Sequence, residues 1–563
     1  MTRRLRAGLA VVGLCCTLAA PTRAYVRATA SATSGVPIAW DLSGTGTTLA
    51  NVSHGTVMFR LQGAGSDDVT DGSDLAAVER AFETWSGISG SAIAFTRGPD
   101  TTNTTTVFDE ELPVFWVETS TVIDQGTPST FDDVDVAGAL AITFTFRVTD
   151  GPEAGEIVDA NLVFNGVDHQ WTTDPATFPN RFDIEAVATH EIGHALGLGH
   201  SPVAAASMFP RTGAGVSRGR TLSADDIAGA IAAYPGGNSA ANRGSLTGLL
   251  DKGSPVFGGL VWVRDGNGAL AGHAMTQADG RFRIDGLPAG SYSLSAQAAS
   301  DPAGFSLFSE ANLGGIYVGL DRSFHGVTPV SVAVGRGVTT TQDLAALPGP
   351  AAMDILLIGR AGSFTNSGTF LRRGETAVAI GIAGPGLPAT GTPLAVSGTG
   401  VSVTQTLFGT VASLPAVVVV VDVDPTAAPG PRDLVVTAGG EARAALGGVE
   451  ILFPVVTGPP AEVLPLAAEQ VGGALDLTWA PAAGATRYHV YSGLLPALRA
   501  GPFDPAPVAG GCLLSVRDAS LFADPGDGLD HFYLVTGANG AGEGSFGVDA
   551  SGLARPVPAR ACP

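Results

Sequence analysis

The sequence predicts a multidomain chain, an N-terminal α/β domain followed by three all-β sandwich modules. Three observations point there. A length of 563 residues suits three to five domains. The 77 glycines and 37 prolines, with only 15% charged residues, favour turn-rich β modules over long helices. Helical periodicity is concentrated in the first 236 residues, around a histidine-rich segment, while short apolar runs between turns fill the remainder.

Residues 1–24 read as a secretory signal. Arg3, Arg4 and Arg6 precede an apolar run from Ala7 to Ala20, and Thr22-Arg23-Ala24 sets small residues at a cleavage site after Ala24. The run is short for a spanning helix, and no later segment is apolar enough to cross a bilayer, so a secreted, extracellular protein is expected. Cys15 and Cys16 leave with the signal. Cys512 and Cys562 remain, and in an exported chain they suggest one disulfide, worth roughly 4 kcal/mol for a loop of about 50 residues. Two free thiols are the alternative. The formal charge of -22 argues against nucleic acid or an anionic membrane as the main partner.

Residues 25–237 read as the α/β domain. Val57–Leu61, Val114–Val117, Ala139–Phe146 and Gly155–Phe164 are its strand candidates, and Asp74–Trp85 a helix following an acidic turn. Asp183 is a good N-cap for a second helix starting at Ile184. On that helix His190 and His194 stand four apart, on one face. Glu191 sits about 100° round from His190, beside a shared metal without being a ligand. Gly197 can take the positive φ that turns the chain back and brings His200 round as a third nitrogen. Three imidazoles with an open fourth position suit one catalytic Zn²⁺. Its bound water would ionise near pH 7, with Glu191 as general base. Surface histidines matching by chance are the competing reading. Three of the chain's nine histidines falling within eleven residues, at these offsets, argue against it.

With these residues in place, His190-Glu191-Ile192-Gly193-His194-Ala195-Leu196-Gly197-Leu198-Gly199-His200 resembles the metzincin metallopeptidases, and among them the matrixins. Ser207-Met208-Phe209-Pro210 is similar to the matrixin Met-turn, with Met208 expected beneath the metal. Leu222–Ile227 with Tyr234 resembles the family's C-terminal helix, and Ala76–Trp85 its first helix. The resemblance implies a metzincin catalytic domain, a zinc endopeptidase acting on protein or peptide substrates, and an edge strand, here Gly138–Phe146, that pairs with extended substrate. Outside this context Met208 would be an ordinary core methionine and Asp225-Asp226 a solvated helix start. The second structural zinc of matrixins is not expected, since only His54 and His169 remain in this region. A cysteine switch is not expected either. The acidic loops Asp67-Asp68…Asp71…Asp74 and Asp132-Asp133…Asp135 are calcium candidates without a recognisable ligand spacing, and solvated turns compete with that reading. Arg211-Thr212 stand where many matrixins carry a pocket-lining tyrosine, so no cleavage preference carries over.

Pro235–Ser239 reads as a linker. Residues 242–346 resemble a carboxypeptidase-regulatory-like sandwich, through Pro255–Val263 and Asp279–Tyr292. Residues 351–455 resemble an immunoglobulin-like module of the transcription-factor-fold type, with Val417–Val421 as a buried strand. Residues 461–563 resemble a fibronectin type III module, with Trp479 as core tryptophan in preference to a carbohydrate-stacking residue. Three sandwiches in series suggest spacing, or attachment to a cell surface or matrix, on a monomer. An adhesive, matrix-binding protein with little or no turnover is the competing reading from another class. Hydrolysis of a different amide is a third.

Overall fold

In the first domain a short-stranded sheet with one fully buried central strand carries two helices that meet at the histidine segment. The computed structural model describes residues 28–545, apart from 31–35, 44–48, 54, 89, 127–132, 176, 237–242, 301–318, 429 and several stretches after Leu452. The expected signal at 1–24, the linker after Gly236 and Cys562, with the disulfide expected of it, lie outside the described residues.

The strands follow in order as β1 (Ala39–Trp40), β2 (Val52–Ser53), β3 (Thr56–Leu61), β4 (Phe95–Arg97) and β5 (Pro113–Val117). A small ladder of β6 (Val122–Ile123) and β7 (Val134–Asp135) precedes β8 (Ala141–Arg147) and β9 (Glu156–Asn165). The sheet runs β1-β9-β5-β3-β2, with β4 on β3 and β8 on β9. Pairings of β9 with β1 and β5 are parallel, whereas β8 lies antiparallel to β9. All ten residues of β9 are buried, as a strand covered on both faces requires. β8 pairs only with β9 among the described residues.

Helix α1 (Ser73–Ser86) buries Ala77, Val78, Ala81, Phe82 and Trp85, positions spaced three and four apart on one face. Phe82 stacks on Phe59 of β3 at 3.7 Å between ring centroids. The indole of Trp85 donates to the Thr189 carbonyl at 2.8 Å, tying α1 to helix α2 (Ile184–Ala195). A two-strand ladder of β10 (Trp171–Thr172) and β11 (Phe182–Asp183) leads into α2. Helix α3 (Ala224–Ala233) opens with a capping box between Ser223 and Asp226.

Two two-sheet sandwiches follow. The first is built from β12 (Arg243–Asp251), β13 (Gly259–Arg264), β14 (Leu270–Met275), β15 (Arg281–Pro288), β16 (Gly290–Ala298), β17 (Val327–Val334), β18 (Thr339–Thr341) and β19 (Leu344–Ala345). The second is built from β20 (Leu357–Arg360), β21 (Ser363–Thr365), β22 (Thr369–Arg372), β23 (Val378–Ala383), β24 (Leu394–Val396), β25 (Val401–Val411), β26 (Leu414–Val423), β27 (Gly430–Ala438) and β28 (Glu441–Leu452). Val417, Val419 and Val421 of β26 are fully buried, alternating with half-exposed Val418 and Val420 as period-two strand geometry demands.

Contacts divide the chain into two units, and the first domain and both these sandwiches fall in one of them, which ends at Ile451. The core of the α/β domain runs without a break through Ala228, Ala230 and Ile231 of α3 into Leu246, Phe282 and Ile284 of the first sandwich. The other unit, largely residues 452 onward, holds sheets β29-β30-β33 and β32-β31-β34-β35, from β29 (Leu466–Val471), β30 (Ala474–Trp479), β31 (Arg487–Leu494), β32 (Cys512–Val516), β33 (Ser520–Asp524), β34 (His531–Asn539) and β35 (Gly542–Glu543). Trp479 is buried there, edge-on to Tyr488 at 5.6 Å, a core position.

Candidate metal centre

The histidine helix is bounded by local chemistry at both ends. At its start the Asp183 carboxylate accepts from the Ala186 N–H at 3.0 Å. At its end the Gly197 N–H donates to the His194 carbonyl and the Leu198 N–H to the Gly193 carbonyl, with Gly197 at φ +82°. That pairing is a Schellman turn, and a side chain on Gly197 would meet the Ile38 carbonyl oxygen at 2.5 Å. The last helical carbonyls are satisfied from elsewhere. The Trp40 indole donates to Ala195 and the Tyr234 hydroxyl to Leu196, each at 2.9 Å.

The turn delivers His200 to His190 and His194. The Nε2 of His194 lies 3.1 Å from that of His190 and 3.2 Å from that of His200. A tetrahedral zinc with Zn–N bonds of about 2.05 Å would separate its nitrogens by roughly 3.3 Å. The other ring nitrogens face carbonyl oxygens, His190 Nδ1 that of Ser207 at 2.6 Å and His194 Nδ1 that of Leu198 at 2.9 Å. A carbonyl only accepts, so both protons sit on Nδ1 and the Nε2 lone pairs face one another. Burial lowers both pKa values, that of His190 well below the ordinary one, with the charges of His194 and His200 adding to the effect there. Neutral imidazoles with convergent lone pairs fit a divalent cation. Among the described residues no other group of three His, Cys, Asp or Glu side chains stands so close.

Glu191 is buried beside the triad. Its Oε2 lies 2.7 Å from the hydroxyl of Thr143, on β8, which also lies 2.9 Å from the Glu191 carbonyl oxygen. Burial pushes the carboxyl up to about 7, against the lowering pull of Thr143. Thr143 carries no signal in its own neighbourhood of the sequence, and its role is set by the sheet register that lays β8 alongside α2.

Met208 lies under the helix, where its sulfur occupies the place that a side chain on Gly193 would take. Asp226 holds this turn. Its Oδ2 accepts from the Ser207 N–H and from the Ser223 N–H and hydroxyl, each at 2.8 Å, and its Oδ1 from the Met208 N–H at 3.2 Å. Burial, then the charge of Asp225, raises Asp226 to about 6. Asp225 is also buried, 2.9 Å from the imidazole of His273 on β14. Neither aspartate is a solvated helix start. The segment after the turn returns to the start of α2, where Arg220 grips the Asp183 carboxylate with Nε and Nη2 at 2.8 and 2.6 Å.

The acidic loops hold turns. Asp74 accepts from the Ser66 N–H at 2.7 Å, Asp68 from the Trp171 N–H at 2.8 Å and Asp135 from the Ala137 N–H at 3.0 Å. His169 meets Phe182 edge-on at 5.3 Å. Cys512 begins β32, and the disulfide expected between it and Cys562 lies outside the described residues.

Comparison with known proteins agrees with this geometry. Residues 51–235 match the matrixin family model. Metalloendoproteinase 1-MMP of Arabidopsis thaliana is 48% identical over 97 residues, 16% of this chain and 24% of that protein. Metalloendoproteinase 4-MMP of the same plant is 34% identical over 134 residues, 22% of this chain and 35% of that protein. The matches therefore span about a quarter to a third of these relatives. Among solved structures, the major pilin subunit of Bacillus cereus covers 53% of this chain, and 91% of its own, at 10% identity and a TM-score of 0.13, too slight a likeness to bear on the fold. Residues 51–235 thus form a matrixin-like domain, followed by β-sheet domains.

Proposed function

We propose that the matrixin-like domain is a secreted zinc endopeptidase acting on extracellular proteins, with His190, His194 and His200 holding the metal and Glu191 as general base. The observation that carries this reading is the convergence of three imidazole Nε2 atoms beside a buried carboxylate. Bound zinc supplies Lewis acidity, polarising a peptide carbonyl and bringing the pKa of water down to about 7. Glu191 takes the proton of the attacking water and returns it to the leaving amine, a role suited to a carboxyl near 7. The edge of β8 away from β9 pairs with an extended substrate backbone, which brings the scissile bond past Thr143 and Glu191. Met208 packs beneath the metal ligands. The basic and apolar start of the chain supports export.

The test uses the full chain, because the α/β core continues into the first sandwich. Zinc content and cleavage of a mixed peptide library are measured for wild type and Glu191→Ala. Zinc in both with cleavage only by wild type is expected. A wild type without zinc, or equal cleavage by both proteins, would overturn the reading. Zinc without cleavage in either protein would favour a binding role.

A further inference from the structure

The second sandwich reaches into the support of the metal ligands. Three residues of the Met-turn segment, Val203, Ala205 and Phe209, share one apolar cluster with Leu260 and Trp262 of β13 and with Leu446 of β28. Gly447 of β28, at φ +58°, abuts Ala205 so closely that no side chain would fit there. Three residues on, Glu450 is 2% exposed, and its Oε1 accepts from the Thr221 hydroxyl at 2.6 Å across 229 residues of chain.

Thr221 is one step from the metal site. The Ser207 hydroxyl lies 3.0 Å from the carbonyls of both Gly219 and Thr221, and the Ser207 carbonyl faces Nδ1 of His190. Arg218 is buried in the same segment, donates to the Ala204 carbonyl at 2.5 Å, and its charge favours ionised Glu450. A path of direct contacts therefore runs from Glu450 through Thr221 and Ser207 to His190.

We propose that Glu450 is a positioning residue for the metal centre, supplied by the second sandwich and acting through Thr221 and Ser207 on His190. The proposal rests on the zinc reading above. It makes the downstream domains part of the catalytic unit, where the sequence suggests spacers. An acceptor oxygen at Glu450 is what the path needs, and glutamine retains one. Burial pushes the Glu450 carboxyl up to about 7, opposed by the Thr221 hydroxyl and the charge of Arg218, so a neutral amide is a fair stand-in.

The experiment compares full-length wild type, Glu450→Ala, Glu450→Gln, Thr221→Val and Thr221→Ser. Zinc affinity is read by competition with a chromophoric chelator, the cobalt-substituted visible spectrum reports ligand geometry, and thermal unfolding verifies folding. Loss of a group that orients a metal ligand typically costs 10–100-fold in affinity. Here Glu450→Ala and Thr221→Val are each expected to weaken zinc about tenfold and to lower kcat more than they raise KM. Glu450→Gln and Thr221→Ser should stay within about threefold of wild type, and the Glu450→Ala/Thr221→Val double variant should be no worse than either single one. A folded Glu450→Ala with wild-type zinc affinity and cobalt spectrum overturns this proposal alone, as does a Gln variant as weak as Ala. Should Glu450→Ala not fold, the Thr221 pair decides, and equal zinc binding by Val and Ser overturns it. A wild type that binds no zinc overturns both this proposal and the reading beneath it.

Discussion

The sulfur of Met208 fills the space that a side chain on Gly193 would occupy, so the turn that carries it and helix α2 are in direct contact. A glycine inside a helix costs about 1 kcal/mol relative to alanine. Here it is the condition for the turn to approach. Gly193→Ala would gain that helix propensity but force Met208 and Trp85 aside, and overpacking costs roughly 1–3 kcal/mol. A net fall in the urea midpoint and weaker zinc binding are expected. A variant at least as stable as wild type, with equal zinc affinity, would show that the packing yields freely.

Thr143 sets the Glu191 carboxylate without touching the histidines' ring nitrogens. Hydrogen bonds to charged groups are worth about 1.5–3 kcal/mol. Thr143→Val should therefore lower kcat/KM by roughly ten- to a hundredfold while zinc content stays at the wild-type level. Steady-state kinetics beside metal analysis checks this, and a wild-type rate in the variant would remove Thr143 from the site.

The legible parts of the site are those written in adjacent residues. Asp183, the four-residue histidine spacing and Gly197 are local signals, and the helix they bound runs from Ile184 to Ala195. Four strands, β3, β5, β8 and β9, are legible for the same reason, although β8 begins at Ala141, two residues inside the apolar run that marks it. The two- and three-residue strands β1, β2, β4, β6, β7, β10 and β11 are too short to show a period. Contacts closed by tertiary structure were not. Thr143 reaches Glu191 across 48 residues and Glu450 reaches Thr221 across 229, and no local pattern links the two partners of either pair. Asp226 lies between these cases. Its capping box with Ser223 is a sequence signal for a helix start, but its grip on Ser207 and Met208 depends on burial that only packing supplies.

Zinc removal should be felt by the fold as well as by the reaction. Without a cation, the His194 Nε2 stays 3.1 and 3.2 Å from those of His190 and His200, with the His190 and His194 rings fixed by their Nδ1 contacts to Ser207 and Leu198. Chelator-treated protein should lose cleavage and unfold at a lower temperature, with both restored by zinc. At a zinc concentration of 100 times Kd the gain is about 2.7 kcal/mol. A melting temperature indifferent to zinc would contradict a metal held by the native fold alone.

Asp159 supplies a pH dependence remote from the histidines. It is fully buried on β9, with Oδ2 accepting from the Asp109 N–H and Oδ1 from the Ala160 N–H, and with the Asp109 carboxylate nearby. Burial, with the charge of Asp109 adding to it, pushes its carboxyl up to about 8, although these backbone donors pull the other way. The unfolded chain releases this proton near pH 4, whereas the folded protein keeps it until about pH 8. Between those values the folded state binds more protons, so this group's contribution to stability is fully present below pH 4. It is lost as pH rises towards 8, at up to about 1.4 kcal/mol per pH unit. Asp159→Asn cannot ionise and should flatten that slope, gaining on wild type between pH 5 and pH 8. Urea midpoints of both proteins at the two pH values measure it. Parallel losses in the two proteins would show that Asp159 is already ionised in the fold at pH 5.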